Sequence, residues 1–126
     1  MRYDEFLVRI ADNGGPDERA HADEAARTVL ADLGKRLAGN EPRDLASQLP
    51  PELQDPLLRH NGESETGDDV DEFLRRVADH EGRGCDPEQA RDHTRAVLAT
   101  IAGFVSEGEI NDLRAQLPAG YAPLFA

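Results

Sequence analysis

Asp4-Glu5-Phe6-Leu7-Val8-Arg9-Ile10-Ala11-Asp12 returns later in the chain as Asp71-Glu72-Phe73-Leu74-Arg75-Arg76-Val77-Ala78-Asp79. The match continues in order. Arg27-Thr28-Val29-Leu30-Ala31 returns as Arg95-Ala96-Val97-Leu98-Ala99, then Glu41, Asp44, Leu45 and Gln48-Leu49-Pro50 as Glu109, Asp112, Leu113 and Gln116-Leu117-Pro118. Pro56-Leu57 returns as Pro123-Leu124. About twenty identities over roughly 55 paired positions, broken only by single-residue gaps, mark two copies of one supersecondary unit. The gaps fall where loops are expected, which tolerate insertion.

Each copy reads as helices. Tyr3, Phe6, Leu7 and Ile10 fall on one face at helical spacing, and Asn13-Gly14-Gly15-Pro16 stops the helix. A longer helix is expected from Asp17 to Ala38, with Ala22, Ala26, Val29, Leu30, Leu33 and Leu37 on its buried stripe. Asn40 is placed to cap a short helix from Glu41 to Gln48, which Leu49-Pro50 ends. A last turn runs from Pro51 to Leu58, with proline at its first position. The second copy repeats the plan with Val70, Phe73, Leu74 and Val77, then Asp86 as cap before Pro87 and a helix carrying Ala90, Val97, Leu98, Ile101 and Val105. Leu113, Leu117, Tyr121, Leu124 and Phe125 complete it. No stretch alternates with a period of two. The expected fold class is all-α: two tandem helical repeats, residues 1–58 and 70–126, joined by an acidic linker over 59–69. A single copy of about 57 residues with few large side chains is marginal alone, so the copies are expected to pack about a pseudo-twofold axis into one domain, 1–126.

These residues resemble a known family. Tyr-Asp-Glu-Phe-Leu at the start, the long Ala-rich helix with Arg-Thr-Val-Leu-Ala-x-Leu, and Asp-Leu-x-x-Gln-Leu-Pro followed by Pro-Leu are similar to domain-of-unknown-function family 2267, small duplicated helical proteins of bacteria and archaea. The resemblance covers nearly the whole chain and implies an all-helical, cytoplasmic protein. It implies no activity and no catalytic residue.

Composition narrows the classes of function. The 126 residues carry 14 Asp and 12 Glu against 14 basic residues, of which only Lys35 is a lysine, for a net charge of -12. Such an anionic, lysine-poor surface repels itself at low ionic strength, and the repulsion is screened when molar salt shortens the Debye length to roughly 3 Å. It suits a halophile's salt-loaded cytoplasm; a GC-rich genome is the other source of the same composition. The charge disfavours nucleic acid as a partner. With no apolar run approaching roughly 20 residues, no basic amphipathic helix and no leader pattern, neither membrane binding nor secretion is expected. The lone Cys85 forms no internal disulfide.

A polar residue kept in both copies serves the repeated unit first. Arg27, Arg95, Asp44 and Asp112 pass that test, as do Arg9 and Arg76, Asp12 and Asp79, Glu41 and Glu109, and Gln48 and Gln116. One reading pairs an Arg of each long helix with an Asp of the short helix, with each Gln tying down backbone groups at the proline stop. The other lines a groove between the copies with Arg27, Arg95, Asp44 and Asp112, where a small anion or a partner's carboxylates would bind. The four histidines fail the test: His21 aligns with Gln89, His80 with Asn13 and His93 with Ala25, while His60 lies in the linker. His80, Cys85 and His93 match no compact zinc spacing and read as a loop thiol and surface histidines. At a helix start, the dipole is expected to lower the Cys85 thiol pKa. No catalytic set, metal site or cofactor motif is expected. Where the first copy has Lys35-Arg36 and Pro42, the second has Gly103-Phe104 and Ile110, so Phe104 and Ile110 either fill the seam or form a partner patch. The function expected is a non-enzymatic helical module for protein interaction or self-association. The alternative is a ligand binder or enzyme using the paired Arg and Asp groups.

Overall fold

Small side chains set how these helices meet. The chain has no Trp and only 5% aromatic residues, so close approach of backbones replaces bulk in filling the interior. A computed structural model describes residues 3–37, 39–59 and 69–125. They form seven α-helices and a closing 3-10 segment: α1 (Tyr3–Asp12), α2 (Arg19–Gly34), α3 (Glu41–Ser47), α4 (Pro51–Leu58), α5 (Val70–Glu81), α6 (Pro87–Phe104), α7 (Glu107–Gln116) and the 3-10 segment Ala119–Phe125. No strand occurs among the described residues, and none of their helices is long and apolar enough to cross a membrane. Most of the expected linker, residues 60–68, lies outside the described residues.

The long helices α2 and α6 touch each other, and α1 and α5 each lie against both. α4 covers α2, the 3-10 segment covers α6, and α3 meets α7. The expected apolar stripes all face inward: Phe6, Ile10, Val29, Leu30, Val77, Val97 and Ile101 have no exposed surface and belong to one continuous core. Ala22, Ala25, Ala26, Ala90 and Ala96 are buried with them. At the end of α2, a methyl group on Gly34 would overlap the Leu57 carbonyl oxygen of α4, so only glycine fits there.

The helix ends show where local signals hold. Asp86 accepts from the Gln89 backbone N–H at 2.8 Å while Gln89 Oε1 accepts from the Asp86 N–H at 3.0 Å, a reciprocal box that starts α6. Asp69 caps α5 with a single such bond, accepting from Glu72 N–H at 2.9 Å. Two expectations fail. Asn40 makes no side-chain cap on α3, because its backbone is itself near-helical (φ -91, ψ -1), whereas a capping side chain needs an extended backbone. α2 spans Arg19–Gly34 rather than 17–38, since the Arg36 N–H turns back to Leu33 O at 2.9 Å and tightens the last turn.

Candidate functional site

Glu81 ends α5 with a side chain that has no exposed surface. A buried carboxylate is stable only with partners that offset its lost hydration. Two imidazoles supply them. His21 Nε2, from α2, lies 2.9 Å from Glu81 Oε1, and His93 Nδ1, from α6, lies 2.6 Å from the same oxygen. The two rings meet edge to face with centroids 5.4 Å apart. Burial pushes the Glu81 carboxyl up, yet His93 and then His21 outweigh it and hold the group below the ordinary carboxylate value.

The chain reversal after Glu81 makes this convergence possible. Gly82, Arg83 and Gly84 all have positive φ (69, 56 and 71), a conformation that costs a non-glycine residue energy. Arg83 is held there by two bonds to Glu24 of α2, at 2.8 and 3.0 Å. The turn returns the chain so that Cys85 Sγ donates to Glu81 Oε2 at 3.6 Å. Burial, aided by the nearby Glu81 charge, pushes the Cys85 thiol up to about 11. This runs against the expected lowering by the helix dipole: burial, with a carboxylate in contact, outweighs partial charges at a helix end.

Beside this cluster opens a cleft of about 720 Å³ whose lining includes Glu24, Arg27, Asp32, Lys35, Arg59 and His80. Asp32, 5% exposed, sits with both carboxylate oxygens 3.0 Å from His80 Nδ1. Arg27 Nε donates to Asp23 Oδ1 at 2.8 Å, and its guanidinium lies over the Tyr3 ring, 5.9 Å from the centroid. Tyr3 donates its hydroxyl to the same Asp23 oxygen. Burial and then the Asp23 bond push the Tyr3 phenol well above its usual value. The expected Arg27 to Asp44 pairing across helices gives way to this local one, because Asp23 stands one turn away on the same helix. Lys35 has no ion-pair partner among the described residues.

Of the four groove residues expected from the duplication, Arg27 lines this cleft, while exposed Arg95 lies on α6 and exposed Asp44 and Asp112 lie on α3 and α7. Phe104 and Ile110 are half-buried against the core. Phe104 packs on Phe6 at 5.4 Å between centroids, under the Arg9 guanidinium at 5.7 Å. Gln48 does tie down a backbone group, accepting from Ser106 N–H at 2.7 Å, but at the start of α7 rather than at its own proline. The residues missed from sequence are Glu81 and its imidazoles. The sequence carries no signal for them: failing the duplication test reads the same for a surface histidine, and their burial comes only from how the helices dock.

A second buried carboxylate group stands where α3 meets α7. Glu41 and Glu109 are both buried, and their oxygens lie with one of Asp112 within 4.8 Å of one another. Glu41 Oε1 and Glu109 Oε1 have no hydrogen-bond partner elsewhere among the described residues, which a shared proton between the two carboxyls resolves. Burial, then the Glu109 bond and charge, then Asp112 and Asp44, push Glu41 up to about 8 from its ordinary 4.5. A group whose folded pKa is raised favours the fold while protonated, so this contribution is whole below about 4.5 and is lost as pH rises to about 8. Urea unfolding across this range at constant KCl is expected to show falling stability with rising pH, and Glu41→Gln is expected to flatten the slope. An equal slope in the variant would contradict the shared proton.

No curated protein matches the chain. A family profile does, over residues 3–124, and its description is an uncharacterized conserved protein. On the strength of that near-complete match, the chain belongs to the DUF2267 family.

Proposed function

We propose that this chain is a non-enzymatic helical binding module whose ligand is a small anion, carboxylate or phosphate, taken into the cleft beside Arg27, Lys35, Arg59 and His80. One observation carries the reading. In a chain of net charge -12, with Lys35 its only lysine, this cleft gathers three permanent cations and a histidine. The carboxylates on its wall are already engaged: Glu24 by Arg83, Asp32 by His80, and Glu81 by His21 and His93. Lys35 and Arg59 line the space, and among the described residues Arg59 has only a long 3.5 Å contact to Asp55. Charge-assisted bonds from such groups are the strong ones for an oxyanion.

The reading includes two tandem copies, 1–58 and 70–126, in one domain with a pseudo-twofold axis. What supports this is the order of elements, α1 to α4 and then α5 to the 3-10 segment, and the meeting of Glu41 with Glu109, which the duplication pairs. It also includes a salt-loaded cytoplasm as the setting, which the excess of acidic residues supports.

Inorganic phosphate and succinate, titrated at the lowest KCl concentration at which the protein stays folded, are expected to shift the backbone resonances around Lys35 and Arg59. Lys35→Glu is expected to weaken binding about tenfold or more, which corresponds to about 1.4 kcal/mol. Undiminished binding by that variant, with helicity unchanged, would exclude the cleft.

A second reading is protein interaction or self-association through the α1 face. It is favoured by Val8, at 61% the one exposed large hydrophobic among the described residues, beside Arg9 where it covers Phe104. Sedimentation over a range of protein concentrations is expected on this reading to show a dimer that Val8→Arg dissociates. A wild-type monomer throughout would remove self-association.

A further inference from the structure

Three metal-ligand atoms from three helices converge on one point. One ring nitrogen each of His21 and His93 and a Glu81 carboxylate oxygen all lie within 4.8 Å of one another, with His21 Nε2 2.9 Å and His93 Nδ1 2.6 Å from Glu81 Oε1. They come from α2, the end of α5 and the second turn of α6, elements whose packing is already fixed by the apolar core. Glu81 is fully buried, and the His93 and His21 side chains are only 15% and 26% exposed. One detail distinguishes the cluster from a simple ion pair. His93 Nδ1 stands 2.6 Å from Glu81 Oε1, yet this buried nitrogen has no hydrogen-bond partner. The ring does not meet the oxygen along an N–H direction, so proximity goes without the bond that would account for it.

We propose that His21, Glu81 and His93 are the protein ligands of a divalent metal ion of the zinc class. Two imidazoles and one carboxylate suit zinc and its neighbours cobalt and nickel, whereas calcium and magnesium require a cage of oxygens. Tetrahedral zinc with bonds of about 2.0 to 2.2 Å sets its ligand atoms roughly 3.4 Å apart, so the 2.9 Å and 2.6 Å pairs open by about 0.5 and 0.8 Å, within reach of small side-chain rotations. The ion replaces the missing hydrogen bond at His93 and offsets the buried Glu81 charge without requiring either histidine to be protonated. Three protein ligands leave a fourth position for water or for the Cys85 thiolate, whose sulfur lies 3.6 Å from Glu81 Oε2. Sequence spacing conceals the site because His21 is 60 residues from Glu81. Although Glu81 also borders the cleft, the site uses none of the cleft's cations and stands independently of the anion reading.

The full chain, stripped with chelator and dialysed against zinc, is expected to hold one equivalent per molecule. His93→Ala and His21→Ala are each expected to lose more than about a hundredfold in zinc affinity, beyond the roughly 10- to 100-fold that an outer-shell change typically costs. His80→Ala, whose imidazole faces Asp32, is expected to bind as the wild type does. Should an alanine variant unfold, imidazole nitrogen resonances of the wild-type protein decide the matter. Zinc is expected to shift Nε2 of His21 and Nδ1 of His93 and to leave His60 and His80 in place. Cobalt in place of zinc reports the fourth ligand, since a thiolate charge-transfer band that Cys85→Ser removes places the sulfur on the metal and its lack from the start places water there. Less than half an equivalent of zinc, full affinity in both alanine variants, or shifts confined to His60 and His80 would overturn the site.

Discussion

The contact on which the rest depends is the one between the end of α2 and α4, where Gly34 leaves no room for a side chain against the Leu57 carbonyl. α2 packs on α1, α4, α5 and α6, so its position is felt throughout the chain. It also carries His21, Asp23, Glu24, Arg27 and Asp32, residues that build the metal cluster, the Arg27 network and the cleft. Having few aromatic residues, the protein relies on alanines and this glycine to let helices approach. A shift of α2 by the width of a methyl group would therefore disturb both packing and chemistry.

Against that apolar frame, the buried carboxylates stand out as a physical problem with two different solutions. Glu41 and Glu109 face each other at the α3 and α7 contact and are eased by a proton. Glu81, surrounded by His21, His93 and Cys85, is kept ionised. Leaving either group without its partners would place an uncompensated charge in the interior, which is strongly destabilising. Asp32 with His80, and Asp23 with Arg27 and Tyr3, are milder cases on the cleft side. Acidity in this protein is thus mainly a property of the solvated faces, while the interior carboxylates are individually managed.

How much could be read beforehand followed the range of each interaction. Phe6, Ile10, Val29, Leu30, Val97 and Ile101 declare their burial through helical period alone, and the structure buries all six. Asp86 with Gln89 is local enough to be legible as a helix start. Asn40 misled, because residue type was right while its backbone was not extended. The Arg27 to Asp44 pairing misled for a similar reason: a partner one turn away on the same helix was available at lower entropic cost. The His21, Glu81 and His93 cluster was invisible, since it depends on how three helices dock and on the positive-φ turn at 82–84. Duplication helped with the frame and hid the cluster, because none of these three residues is repeated.

The most direct test of the dependence on α2 is the unfolding free energy of Gly34→Ala in urea. By helix propensity alone, replacing a glycine with alanine stabilises a helix by up to about 1 kcal/mol. The close approach to Leu57 predicts the opposite sign: a loss of stability of about 1 to 3 kcal/mol, as overpacking costs. A variant as stable as the wild type, or more so, would contradict the account.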